Sequence, residues 1–164
     1  LFLCSPSSGT NKIWKETEKE ALMFNKKSCS NSEWLMMGLN SGLGALGISS
    51  GYKNLYKQVL KNYNKGFKNV VLDNDLFNKV HAAPINKTRK QIINYKSLNT
   101  FINPAFPILI TYGENDIYGS SKENTYLRFP SAEYEVVTHS GHIPWIHNHK
   151  LFRSILIGFY SHYC

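Results

Sequence analysis

The rhythm of apolar and polar positions changes several times along the chain. Leu1 to Ser5 is a short apolar run closed by the turn residues Pro6-Ser7-Ser8-Gly9, and reads as a strand. From about Lys12 to Lys26, Trp14, Ala21, Leu22 and Phe24 recur at helical spacing, with Thr10 or Asn11 placed to cap. Glu33-Trp34-Leu35-Met36-Met37 is a second apolar run, stopped by Gly38, and reads as a strand. Leu55, Val59, Leu60 and Tyr63 mark an amphipathic helix over Tyr52 to Tyr63, and Phe67 to Leu72 a following strand. From Asp73 to Asn103 the pattern loosens. Leu76, Phe77 and Val80, then Ile92, Ile93, Tyr95 and Leu98, suggest short helices punctuated by Pro84 and Pro104, as a lid over a sheet edge would.

The clearest pattern lies beyond Pro107. Pro107-Ile108-Leu109-Ile110-Thr111-Tyr112 is a buried strand by its length, its β-branched residues and the Gly113 that stops it. Glu114-Asn115-Asp116 follows in a loop, then a helix-like segment. Ala132 to Thr138 makes another strand, ending at Ser140-Gly141-His142-Ile143-Pro144-Trp145. Leu151, Phe152, Ile155, Leu156 and Phe159 define a last amphipathic helix. Parallel strands joined by the intervening helix would bring Asp116 and His142 to one sheet edge, where open α/β sheets bind ligands. A carboxylate beside an imidazole fixes its tautomer and stabilises the imidazolium formed during proton transfer. That is half of a nucleophilic triad.

These residues resemble the α/β-hydrolase family. The resemblance rests on Pro107-Ile108-Leu109-Ile110 with Gly113-Glu114-Asn115-Asp116, on Phe129-Pro130-Ser131-Ala132, on Ser140-Gly141-His142-Ile143-Pro144-Trp145, and on Phe152 to Tyr160 as the closing helix. It implies a mostly parallel sheet with flanking helices in a single domain over residues 1–164, incomplete at its N-terminus. It also implies Asp116 as the triad acid, His142 as the base, Ile143 and Trp145 as pocket lining, and no cofactor. Ser7-Ser8-Gly9 would stand where the family draws part of its oxyanion hole. The implied activity is hydrolysis of a small ester, amide or lipid.

The nucleophile has three candidate positions. The family's serine sits on a strand-to-helix turn, usually G-x-S-x-G. Gly38-Leu39-Asn40-Ser41-Gly42 follows the better strand, yet puts an amide at the centre; that reading makes the chain an inactive binding module. Gly47-Ile48-Ser49-Ser50-Gly51 satisfies the pattern with Ser49 but follows a poor strand. In the third reading Leu1 to Pro6 is the strand after the elbow, residues from about Lys12 to Asn103 form a helical lid, and the serine precedes Leu1.

Composition sets outer bounds. With 164 residues, 42% apolar and 13% aromatic, the chain can bury a core. It contains no apolar run near the roughly 20 residues of a membrane helix. The net charge of +8 comes from lysines scattered among asparagines, which points away from a nucleic-acid stripe. Three cysteines, Cys4, Cys29 and Cys164, make no framework; an odd number favours reduced thiols and a cytoplasmic setting. His139, His142, His147 and His149 match no zinc-ligand spacing, so no metal is expected. The chain starts without Met and shows no recognisable leader; a fragment or processed chain is expected, missing sequence before Leu1 in which a secretory leader could have stood.

Overall fold

The computed structural model describes residues 1–67, 70, 79 and 82–163, excluding the side chains of 82, 83, 85 and 86. Three strands form one parallel sheet in chain order: β1 (Phe2–Cys4), β2 (Leu109–Gly113) and β3 (Glu133–Val137). β1 runs beside β2 with Phe2 opposite Leu109 and Cys4 opposite Thr111. β3 flanks the other side, with Leu109 opposite Glu133 and Gly113 opposite Val137. All five residues of β2 are buried, which is why it reads as an unbroken apolar run rather than an alternating one. Ile108, Ile110, Tyr112 and Phe129 form the centre of the core, with Leu3 and Tyr134 packed against them.

Among the described residues, the connection from β1 to β2 carries α1 (Asn11–Ser28), α2 (Asn31–Ala45), α3 (Ser49–Asn64) and α4 (Ala82–Asn94). The β2-to-β3 connection carries α5 (Lys122–Arg128). After β3 come the single turn α6 (Pro144–His147) and α7 (His149–Tyr163). α7 closes the sheet through Phe152, whose ring meets Phe2 at 5.8 Å and Trp145 at 6.2 Å.

The expected strand over Glu33 to Met37 is instead the first turns of α2. Ser30 accepts from the Glu33 N–H and the Glu33 carboxylate accepts from the Ser30 N–H, a reciprocal cap that starts a helix there. Neither in-chain elbow therefore has a strand leading into it. Asn40 lies inside α2, and Ser49 opens α3 from an exposed position.

The glycines that suggested an elbow serve a helix hairpin. A Cβ at Gly51 would stand 2.6 Å from the Asn40 carbonyl oxygen, and one at Gly44 would strike the Tyr52 ring, so these two glycines let α2 and α3 touch. Gly47, at φ +90°, makes the turn between them. Most of the expected strand over Phe67 to Leu72, together with Leu76, Phe77 and Val80, lies outside the described residues; α4 and the chain up to Asn103 fall in the expected lid segment.

Candidate functional site

The ends of β2 and β3 are locked together before any side chain is considered. The Glu114 N–H donates to the Val137 carbonyl at 3.0 Å, and the Asn115 N–H to the Ser140 carbonyl at 2.8 Å. Any side chain at Gly113 would collide with the Gly141 backbone, so glycine here does more than stop the strand. It lets the two strand-end loops lie against each other, which brings their titratable residues together.

His142 Nδ1 is 3.0 Å from Asp116 Oδ1. The Asp116 side chain is fully buried and that of His142 is 21% exposed. Burial alone opposes a charged carboxylate. The His142 bond, the attraction of the imidazolium whenever it forms, the Ser5 hydroxyl on Oδ2 at 2.7 Å and the Tyr118 N–H on Oδ1 at 3.1 Å outweigh it, and hold Asp116 below the usual carboxylate range. An ionised Asp116 can only accept, so Nδ1 of His142 carries the proton and Nε2 is left with a free lone pair. That is the tautomer a general base requires.

Two rings meet the imidazole edge-on. Tyr63, near the end of α3, and Tyr118, after the Asp116 turn, each have their centroids 5.1 Å from it. Burial and the Asp116 charge push the Tyr118 phenol up to about 12; burial pushes Tyr63 up further. Neither ionises near neutrality.

Behind His142 stands a second histidine. His147 Nδ1 accepts the Gly141 N–H at 3.0 Å, and Nε2 is 2.9 Å from Asn64 Oδ1 at the end of α3. The Phe67 ring stacks on His147 with centroids 3.7 Å apart. Burial and the charge of His142 push His147 down to about 4, so it stays neutral and keeps its acceptor facing Gly141.

Sequence reasoning placed Asp116 and His142 together, and the structure pairs them. It missed Ser5, which ends β1 at φ +43° and turns its hydroxyl onto the acid. It also missed Tyr63, Asn64 and His147, whose roles depend on contacts far apart in the chain. Ser49 is not brought in. It is at the far end of α3 from Tyr63, about 21 Å along a helix rising 1.5 Å per residue. Asn40 in α2 lines a groove with Trp34 and Leu43.

Ser8 is buried with its hydroxyl on the Ser121 carbonyl, while Ile143 is in the core and Trp145 is half exposed beside Phe152. Cys4 is a half-buried strand residue whose thiol is pushed up by burial. Among the described residues no group of three or more His, Cys, Asp or Glu is placed to hold a metal ion, and no helix is long and apolar enough to cross a membrane.

No protein-family model matches the chain, and no curated protein matches its sequence. Its structure is similar to that of VinJ, with a TM-score of 0.55 and 11% identity over 97% of this chain. A candidate hydrolase from Bacillus subtilis superposes at a TM-score of 0.36 and 14% identity over 64% of the chain. The chain spans 56% of VinJ and 41% of the Bacillus protein. The likeness to VinJ is one of fold: a mixed α/β chain with a parallel sheet and helices packed around it.

Proposed function

We propose that residues 1–164 are the acid–base half of an α/β-hydrolase that cleaves an ester or amide by nucleophilic catalysis. One observation carries the reading: a buried Asp116 holds His142 by Nδ1 at the joined ends of two parallel strands, with no hydrogen bond to Nε2 among the described residues. In the proposed reaction Nε2 takes the proton of an attacking serine hydroxyl as the Oγ–C bond forms. It then returns that proton to the leaving alcohol or amine as the acyl bond breaks. Water repeats the cycle on the acyl-enzyme. Asp116 stays ionised throughout and offsets the imidazolium charge.

The serine is proposed to precede Leu1. The support is topological: β1, β2 and β3 lie in chain order, and α1 to α4 occupy one long connection between the first two. That is the arrangement expected when β1 follows the nucleophile strand. The inactive-module reading rested on Asn40 in an elbow, and Asn40 is mid-helix.

A fluorophosphonate probe tests this on a chain extended before Leu1, followed by peptide mapping. The expected result is a label on a serine upstream of Leu1 that disappears in His142→Ala. A label on Ser49, or one indifferent to His142→Ala, would overturn the assignment.

A further inference from the structure

The helical connection holds three concavities that share walls. The innermost, of about 530 Å³, is lined by Trp14, Tyr56, Ile117 and the two tyrosines whose rings meet His142, Tyr63 and Tyr118. The next, of about 520 Å³, shares Tyr56 and Tyr63 with it and adds Leu22, Met37 and Leu55. The outermost, of about 810 Å³, shares Leu22, Met37 and Leu55 and continues along α2 past Trp34 and Leu35 to Leu46. The path thus starts at the two tyrosine rings that separate it from the imidazole, and runs away from them along α3; Tyr63 to Leu55 alone spans about 12 Å of helix.

Its chemistry changes on the way. The inner part carries the Glu18–Arg89 ion pair, with Lys15 and Lys19 close by. The outer part has no charged lining residue among the described residues, and leaves Leu35, Met36, Leu39 and Leu43 of α2, and Leu46 just after it, exposed. Most surface helices of a globular protein put such residues inward.

From this continuity we infer that the groove binds the long, unbranched acyl chain of the substrate, with the scissile carbonyl at His142 and the methyl end along α2. The inference deepens the hydrolase reading and rests on it for the position of the carbonyl. The apolar outer part needs no polar recognition, because each methylene taken from water strengthens binding about fourfold. A second copy of the chain or a membrane surface would also cover the exposed α2 residues, but neither accounts for a path running inward to Tyr63 and Tyr118.

The test reads binding rather than turnover, so a failure of the triad reading leaves it intact. Trp14 lines the inner end and Trp34 the outer, while Trp145 lies outside the groove. With Trp145→Phe as background, saturated fatty acids of increasing length are titrated against tryptophan fluorescence, using acids brominated at either end. The expected result is saturable binding that tightens about fourfold per added methylene. Bromine at the methyl end should quench Trp34, and bromine beside the carboxyl should quench Trp14. Leu22→Glu, at a position 57% exposed and therefore safe for the fold, should weaken binding at least tenfold, and Leu55→Trp should do the same by filling the shared wall. Affinity independent of chain length, the reverse quenching order, indifference to both variants, or quenching only with vesicles or on dimerisation would overturn the inference.

Discussion

Asp116 is expensive to bury and useful only if it stays charged. Three groups from three parts of the chain keep it so: the His142 ring, the Ser5 hydroxyl and the Tyr118 N–H. Asp116→Asn keeps the shape but offers an amide, whose N–H₂ would face Nδ1 and turn the imidazole to the wrong tautomer. On the proposed hydrolase reading, turnover is expected to fall roughly 10⁴-fold with KM little changed, the pattern of a lost charge rather than lost binding. Steady-state kinetics on a chromogenic ester check it. Ser5→Ala removes one of the two contacts on the acid that do not come from His142. Its expected cost is smaller, about 1 kcal/mol of stability by denaturant melts, and the acid-induced loss of stability should begin at higher pH because Asp116 is less well held.

The elements explain where sequence reasoning succeeded and where it failed. β2 and β3 were legible because each is a short β-branched run bounded by glycine, proline or a polar loop, and the Asp116–His142 pairing follows from their parallel order. α2 was misread because Trp34 to Met37 is apolar on every side, which suits a buried strand as well as a helix lying against a groove. The deciding signal was local and present: Ser30 with Glu33 three residues on is a helix start. Ser30→Ala is accordingly expected to cost about 1 kcal/mol in thermal melts. The glycine cluster misled for a different reason. Close approach of two helices and a strained catalytic turn both demand glycine, and sequence alone does not separate them. Gly51→Ala is expected to push α3 off α2 and cost about 1–3 kcal/mol, whereas Gly38→Ala, with open space around its Cα, should be neutral or mildly stabilising. A substantial loss at Gly38 in the same melts would place a neighbour against it.

At the scale of the whole chain, two of the ties between the helical connection and the sheet region are titratable, and they set how the fold responds to acid. One tie is His147, between Asn64 on α3 and the Gly141 N–H. Its folded value of about 4 lies below the ordinary value of about 6.5, so between those limits the unfolded chain binds the extra proton. Stability is therefore full above about pH 6.5 and declines as pH falls towards 4.

The second tie is Glu20 of α1. Burial opposes its charge, but the Ser121 hydroxyl and N–H, the Gly119 N–H and the Ser120 hydroxyl outweigh burial and hold it below the usual range. Glu20 and Asp116 are both depressed, so their contribution persists above the ordinary carboxylate value and is lost only as pH drops through their lower folded values. Circular dichroism melts across pH should show two descending limbs, one from each kind of group. His147→Asn, which keeps an acceptor for Gly141 and cannot titrate, should flatten the upper limb and leave the lower. Glu20→Gln should reduce the lower limb and leave the upper. A single limb, or an upper limb unchanged in His147→Asn, would mean that the sheet unfolds independently of the Asn64–His147–Gly141 tie.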